Sequence, residues 1–189
     1  LDRYDYKLEN YARSKMRITQ NQTSTDAFIY SADDPVTQQM LDTMDATLRA
    51  RQLPFAINTA IASGAGDALL EGHNFTATVG SKSVTIDTRK MQIEGMHNVY
   101  NAMAAALATL AAGIDPKQIK RSIYDFSPVE HRLEPAGSEG DIQWVNDSKA
   151  TNVDSVWYAL ESMKRPTVWI AGGTDKGNDY EPLKEFARQ

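Results

Sequence analysis

The stretch Ile142-Gln143-Trp144-Val145-Asn146-Asp147-Ser148-Lys149-Ala150-Thr151-Asn152 decides the class of fold. Its first four residues predict a strand, and the small or polar residues after them lead into a helical pattern that runs from Asn152 to Met163. A second apolar run, Thr167-Val168-Trp169-Ile170-Ala171, predicts another strand before Gly172-Gly173. Strand, helix and strand in this order form a βαβ unit, so we predict an α/β fold with a parallel sheet and a crossover helix on one face.

The preceding part of the chain also mixes helical and extended patterns. A turn at Gly80-Ser81-Lys82 between two alternating runs predicts a hairpin, and Gly64-Ala65-Gly66 predicts a loop. Composition changes at Ser127-Pro128-Val129-Glu130, which places a domain boundary near residue 130 and predicts domains at 1–129 and 130–189. The predicted helices are 4–18, 36–48, 98–112 and 116–126, and the predicted strands are 26–30, 53–57, 75–79 and 83–86.

Composition excludes several functional classes. The net charge is -5 without a basic block, so nucleic acid is not an expected partner. The chain has no apolar run of the ~18 residues that span a bilayer, so a membrane protein is not expected. The absence of cysteine excludes disulfides and thiolate metal sites and favours a cytoplasmic location. Because the chain opens on Leu1 and stops within an apparent helix, we expect a fragment of a longer protein.

Lys15 is the first candidate for chemistry. It shares a predicted helix face with Tyr4, Leu8 and Tyr11, and a lysine shielded from water is more often the neutral, nucleophilic amine. Such an amine can react with carbon dioxide to give a carbamate, which is a carboxylate-like ligand for Mg²⁺. The alternative is a lysine that extends from the edge of the face into water.

A second candidate segment is Gly95-Met96-His97-Asn98-Val99-Tyr100-Asn101. Asn98 and Asn101 lie one helical turn apart, and an amide offers a donor and an acceptor together, which suits the edge of a purine base. His97 could contact a phosphate or cap the helix. Simple capping of the helix N-terminus by asparagine is the alternative.

Two further candidates lie after the predicted boundary. Arg132, in His131-Arg132, could reach a phosphate with its planar fork of donors, or it could form a surface salt bridge. The segment 146–152 follows a strand and begins a helix, where ligands and anions bind in open α/β sheets. Its Asp147, Lys149 and Thr151 offer both charges and a hydroxyl, although a plain βα loop with Ser or Thr as the cap would also fit.

Glycines after the last predicted strand form the final candidate, Gly172-Gly173-Thr174-Asp175-Lys176-Gly177. Gly allows a close approach of the backbone to a ligand, and Lys176 could hold a carboxylate. This is not a phosphate-binding P-loop, because no G-x-x-x-x-G-K-[ST] occurs in the chain.

Together these segments resemble the Mur ligases, the ATP-dependent amide ligases of bacterial cell-wall synthesis. The version of segment 146–152 found here looks like that of the D-glutamate-adding type. The resemblance covers essentially the whole chain and rests on the following, in chain order: Leu1-Asp2-Arg3-Tyr4, Tyr11-Ala12-Arg13-Ser14-Lys15, Gly95-x-His97-Asn98-x-x-Asn101, His131-Arg132, Asn146-Asp147-Ser148-Lys149-Ala150-Thr151-Asn152 and Gly172-Gly173.

The resemblance implies a fold, a reaction and roles for these residues. Residues 1–129 would be the second half of a central ATPase domain, and residues 130–189 the first half of a Rossmann-like C-terminal domain. The implied substrates are UDP-N-acetylmuramoyl-L-alanine and D-glutamate, with ATP and Mg²⁺ as cofactors, in a monomer. The P-loop and further metal ligands would precede Leu1, so the fragment alone should be inactive.

The implied roles divide among ATP, Mg²⁺ and the acceptor substrates. Thr174-Asp175 replace the Asp-Gly pair expected before Lys176, which makes Lys176 the least secure of the substrate contacts. The alternatives are a folylpolyglutamate-type ligase of the same superfamily and a non-catalytic nucleotide-binding module. The implied assignments are Lys15 as the carbamylated, metal-supporting lysine, His97, Asn98, Asn101, Arg132 and Asp147 at the nucleotide, Lys149 as a catalytic group on the substrate side, and Thr151 and Lys176 at D-glutamate.

Overall fold

The computed structural model describes residues 4–44, 48–57, 67–127, 129–174 and 177–186. The chain divides into two compact units, here called the first unit and the second unit. The first unit comprises Leu1–Met91 and Asn98–Asp125, and the second comprises Gln92–His97 and Phe126–Gln189. The predicted Gly64-Ala65-Gly66 loop lies outside the described residues, as do Pro128 and residues 45–47 of a predicted helix.

A mixed five-stranded sheet forms the centre of the first unit. The first two pairs of strands are parallel and the last two are antiparallel, so β3 carries one neighbour of each kind. This sheet confirms the predicted α/β class and the predicted hairpin, whose turn places Gly80 at φ +60°. The strands, in sheet order, are β1 (Ala27–Ser31), β2 (Arg51–Ala56), β3 (Ala68–Glu71), β4 (Asn74–Val79) and β5 (Lys82–Asp87).

Four α-helices accompany this sheet: α1 (Leu8–Met16), α2 (Pro35–Met44), α3 (Met96–Ala111) and α4 (Pro116–Asp125). The small and apolar residues of α3 recur at helical spacing and therefore lie on one face. This face is buried, and Met103 and Leu107 on it are fully buried. On the sheet, Phe75 and Ile86 are also fully buried, since β4 and β5 alternate apolar and polar residues. Single turns of 3₁₀ helix occur at Arg17–Thr19 and Thr88–Lys90.

The predicted apolar face of α1 is not the buried one. Leu8 and Tyr11 are 51% and 37% exposed, whereas Ala12 and Met16 on the neighbouring face are buried with Phe28. Small Ala12 permits close packing, and flexible Met16 fills the space, so the helix turns these residues inward. The helix is also shorter than predicted, beginning at Leu8 rather than near Tyr4.

The second unit contains a two-stranded antiparallel sheet and one α-helix. The strands β6 (Glu134–Glu139) and β7 (Ile142–Asn146) form a hairpin with a bulge between Pro135 and Gly137. The helix α5 (Val153–Glu161) follows β7, and a 3₁₀ turn occurs at Glu181–Leu183. None of the helices in the described ranges is long and apolar enough to cross a bilayer.

The predicted parallel βαβ unit at residues 142–171 is wrong for the part of the chain that the structure describes. β7 pairs antiparallel with β6, its neighbour across a tight turn, and residues 167–171 form no strand. Val168 and Ile170 are 90% and 78% exposed. β7 pairs with β6 along one edge only. No strand in the described ranges pairs with residues 167–171, so their backbone N–H and C=O groups lack the ladder that a strand requires.

Candidate functional site

Two predicted segments meet in the second unit: residues 131–133, here called the arginine turn, and residues 146–152, here called the motif turn. The Leu133 N–H donates to Asp147 Oδ1 at 3.1 Å, and the Lys149 N–H donates to the His131 carbonyl at 3.1 Å. These bonds join residues 14 and 18 positions apart in the chain. The structure therefore brings together two motifs that the sequence could relate only through a family resemblance.

The arginine turn has an unusual backbone. His131 and Leu133 have φ of +66° and +46°, the left-handed region that residues with a Cβ rarely adopt. Such conformations cost roughly 1–3 kcal/mol each and persist only where surrounding contacts fix them. Arg132 lies between the two, with an exposed side chain. Strained backbone around a proposed ligand contact is a common feature of functional sites.

Glu134 and Asn146 form a hydrogen-bonded cluster with His131. The His131 N–H donates to Glu134 Oε2 at 2.8 Å, and the Asn146 side-chain amide donates to the same oxygen at 3.2 Å. The Asn146 amide nitrogen also lies 2.8 Å from His131 Nδ1. Sequence reasoning did not single out Glu134. The available signal was its position three residues after a histidine.

The motif turn is ordered by its own side chains and leads into α5. The Ser148 N–H donates to Asn146 Oδ1, and Asn152 caps the helix by accepting the Ser155 N–H at 2.8 Å. The capping residue is thus Asn152 rather than a serine or threonine. The side chains of Lys149 and Thr151 are exposed beside that helix N-terminus, where backbone N–H groups favour anions.

A pocket in the second unit surrounds His97. The His97 ring lies 5.3 Å from the Tyr158 ring, and its Nδ1 atom is buried without a hydrogen-bond partner in the described part of the chain. Gly95, at φ +95°, leaves room for this ring, since a Cβ there would lie 2.7 Å from His97 Cε1. The pocket is lined by Glu94, Gly95, Met96, His97, Tyr158, Glu161, Ser162 and Lys164.

Charges around His97 link this pocket to both turns. Burial lowers the pKa of His97 below its ordinary value of 6.5, and the positive charge of Arg132 lowers it further. Asp147 and Glu161 act in the opposite direction. A neutral imidazole with an unused polar atom, an aromatic ring and a nearby guanidinium can together bind a planar polar group that carries phosphates. Tyr158 was not anticipated from sequence.

The first unit contributes a carboxylate at the carboxyl ends of two parallel strands. Asp33 follows β1, and its Oδ2 accepts the Ile57 N–H and the Tyr100 hydroxyl, both at 2.7 Å. The sequence identified Asp33-Asp34-Pro35 only as the end of a strand. Asp34 does act as a cap, because its carboxylate accepts the N–H groups of Val36 and Thr37 at the start of α2.

The predicted asparagines lie on the first two turns of α3, with Asn98 half-buried and Asn101 exposed. Tyr100, between them in sequence, packs edge-on against Phe55 at 6.0 Å as well as binding Asp33. The tyrosine therefore fixes the rotation of this part of the helix, on which both amides depend.

The sequence left two interpretations of Lys15 open, and the structure agrees with the lysine that extends into water. Its side chain is exposed, and its Nζ lies 5.3 Å from the centre of the Tyr11 ring. The face of an aromatic ring attracts a cation, so this contact helps to orient the side chain. Ala12 and Met16 take the buried positions of α1 instead.

A magnesium site is not formed by the described residues. They contain no group of three or more histidine, aspartate, glutamate or cysteine side chains placed to hold a metal ion. As a carbamate, Lys15 would supply one ligand at most. Lys176 lies outside the described residues, together with Asp175 before it.

Comparison with known proteins gives matches in sequence and fold. The family model of the Mur ligase middle domain matches residues 1–109. A UDP-N-acetylmuramoylalanine–D-glutamate ligase of Christiangramia forsetii is 45% identical over 184 residues, covering 97% of this chain and 40% of the relative. The enzyme of the same name from Bacteroides fragilis is 44% identical over 189 residues, covering all of this chain and 41% of the relative. The chain thus spans about two fifths of the length of these relatives.

Solved structures share the fold at low sequence identity. A pseudomurein peptide ligase type C from Methanothermus fervidus matches with a TM-score of 0.61 and 19% identity, covering 85% of this chain and 38% of that chain. MurF from Acinetobacter baumannii matches with a TM-score of 0.59 and 20% identity, covering 81% of this chain and 32% of that chain. At these identities the likeness concerns the fold alone.

Proposed function

The chain belongs to the Mur ligase family, and on that basis we propose that it is part of an ATP-dependent ligase that joins D-glutamate to UDP-N-acetylmuramoyl-L-alanine. The observation that carries the proposal is the docking of the arginine turn on the motif turn beside the His97 pocket. The names of the similar curated proteins support the same pair of substrates.

The nucleotide side of the proposed site uses five residues. The amides of Asn98 and Asn101 would offer paired donors and acceptors to the adenine edge, and His97 would offer its unused Nδ1 to the nucleotide. Arg132 would donate to phosphate oxygens through its guanidinium fork, and Asp147 would accept from the nucleotide while it holds the arginine turn.

The acceptor side uses the exposed groups of the motif turn. Lys149 would stabilise negative charge as the carboxylate of the muramoyl-alanine substrate takes a phosphoryl group from ATP. Attack by the D-glutamate amine on this acyl phosphate forms the amide and releases phosphate. Thr151, next to the N-terminus of α5, would donate to a D-glutamate carboxylate, and Lys176 would hold a second.

Lys15 is proposed as a carbamate that supports Mg²⁺ only in the complete protein. The described residues do not form a metal site by themselves. We also propose a cytoplasmic monomer that acts on small molecules and does not bind nucleic acid or a membrane.

The proposal is tested with the full-length protein that contains this chain. Phosphate release should require ATP, UDP-N-acetylmuramoyl-L-alanine and D-glutamate together, and the 189-residue chain should release none. Arg132→Ala should raise the KM for ATP about tenfold or more, the loss of one charge-assisted contact. Arg165→Ala is the matched control, since Arg165 is an exposed arginine of the same unit that donates to the Asp141 carbonyl.

Three results would contradict the proposal. Equal turnover with another amino acid, or turnover with a folate and L-glutamate, would assign the protein to a different ligase. ATP turnover by the 189-residue chain would show that its active site is already complete.

A further inference from the structure

Each backbone N–H of the arginine turn has an acceptor. The His131 N–H donates to Glu134 Oε2 at 2.8 Å, and the Arg132 N–H donates to the Val129 carbonyl at 3.2 Å. The Leu133 N–H donates to Asp147 Oδ1 at 3.1 Å. Two of the three acceptors are carboxylates, which accept more strongly than neutral oxygens do. The left-handed residues at both ends of the turn are thus each bound to a charged side chain.

Glu134 is the less expected of these two carboxylates. It lies at the first position of β6, and the side-chain amide of Asn146, at the paired end of β7, donates to the same Oε2 atom at 3.2 Å. The Glu134 and His131 side chains are 35% and 49% exposed. Water can therefore compete for these groups, and the cluster does not serve a hydrophobic core.

The direction of Arg132 depends on this backbone. Rotation of His131 out of the left-handed region would turn the following peptide unit and move the Arg132 side chain. In the observed conformation Arg132 is near enough to His97 for its positive charge to lower the pKa of that imidazole. Without the Glu134 acceptor, the His131 N–H would bond to water in the more common extended or helical conformations.

We propose that Glu134 is a positioning residue, whose carboxylate, itself held by Asn146, fixes the left-handed turn that directs Arg132 to the phosphates of the bound nucleotide. This rests on the proposed function, in which Arg132 contacts the nucleotide. Glu134 touches no reactant in this arrangement. Its effect on the nucleotide passes through Arg132.

A double-mutant cycle in the full-length protein tests this route. The dissociation constant for a fluorescent, non-hydrolysable ATP analogue is measured for wild type, Glu134→Ala, Arg132→Ala and the double variant. Glu134→Ala should weaken binding about tenfold alone but less than about twofold in the Arg132→Ala background, because residues that act as a unit are not additive. Glu139→Ala, at the other end of β6, is the matched control and should leave binding unchanged.

The conservative variant Glu134→Gln separates hydrogen bonding from charge and from misfolding. Its amide oxygen can still accept both donors, so binding should stay within about threefold of wild type. Additive losses in the cycle, or a Glu134→Gln variant as weak as Glu134→Ala, would overturn the positioning role. A wild-type protein without D-glutamate-dependent phosphate release would instead refute the proposed function, and the two failures are therefore distinguishable.

Discussion

Different interactions stabilise the interior of each of the two units. In the first, the fully buried side chains are large and apolar: Phe75, Leu53, Ile86, Met103 and Leu107. Among the described residues of the second, Leu183 is the buried hydrophobic residue, and Trp144 is 49% exposed on β7. The second unit is defined instead by hydrogen-bonded turns at residues 131–134 and 146–152.

The difference indicates how each unit presents ligand contacts. Packing fixes the sheet and α3 of the first unit, so Asn98 and Asn101 stand on a rigid support. In the second unit, exposed polar bonds of about 0.5–1.5 kcal/mol each fix Arg132 and Asp147. Substitutions should therefore cost stability in the first unit, and mainly ligand affinity in the second.

The largest contrast should come from removing one aromatic side chain in each sheet. Phe75→Ala should lower the free energy of unfolding by about 3–5 kcal/mol, since it leaves a cavity in a closed core. Trp144→Ala should cost less than about 1 kcal/mol, because half of that side chain is already in water. Urea unfolding of the 189-residue chain, followed by circular dichroism, compares the two. Equal losses would mean that the second unit has a core of its own.

A smaller effect is expected at Asp33, the polar support of the first unit. Asp33→Ala should lower the free energy of unfolding by about 2–3 kcal/mol, because the Ile57 N–H and the Tyr100 hydroxyl lose a charged acceptor. Tyr100→Phe removes one of these bonds and should cost about half as much. An Asp33→Ala variant with the same free energy of unfolding as the wild type would show that water replaces the carboxylate without loss of stability.

Helix caps offer a matched pair across the two units. Asp34→Ala should cost about 1–2 kcal/mol, since three donors lose their acceptor at the start of α2. Asn152→Ala should cost about 0.5–1 kcal/mol, since one donor does so at the start of α5. Amide hydrogen exchange resolves each helix separately, so the losses can be assigned. A larger loss of stability at α5 than at α2 would contradict this prediction.

Acid should act on the two units in different pH ranges. Burial and Arg132 lower the pKa of His97, so stability from its neutral form is present above pH 6.5 and is lost as pH falls below that value. Hydrogen bonds from Arg89 lower the pKa of Asp87 from 3.8 to about 2, so its contribution is present above pH 3.8 and is lost on the way to pH 2. Both groups are followed by NMR titration. Arg132→Gln should raise the pKa of His97, because a nearby positive charge is removed. An unchanged pKa would show that Arg132 is too far from His97 to act on it.

Elements with strong local patterns were predictable from sequence. Helix α3 was expected at 98–112 and is found at Met96–Ala111, and the β4–β5 hairpin lies within one residue of its expected bounds. These predictions depend only on a few neighbouring residues, namely the apolar periodicity of each element and, in the hairpin, Gly80 at the turn. A strand without a sequence pattern of its own is not predictable in this way. β6, with Pro135 and Gly137, has no strand pattern and exists because β7 is adjacent.

The candidate site was predictable in its residue types but not in its contacts. His97, Arg132 and Asp147 were identified from sequence because glycine, histidine and asparagine stand beside them at helix and strand ends. In the second unit, the charges of Arg132 and Asp147 both act on the pKa of His97. Glu134 and Asp33 were missed because their partners lie on other elements, 67 residues away for Asp33 and Tyr100. For Lys15 the sequence left a shielded and an exposed side chain open, because periodicity indicates an apolar face without showing what covers it.

Strand β3 has a consequence for the order of folding. Its antiparallel partner β4 follows after a two-residue turn, so the β3–β4–β5 meander needs only short loops to close. Its parallel partner β2 and the next strand, β1, are separated by longer connections, one of which contains α2. Contacts between residues close in sequence form faster than distant ones. The meander should therefore form early and serve as the edge on which the two parallel strands, and with them the Asp33 end of the sheet, assemble last.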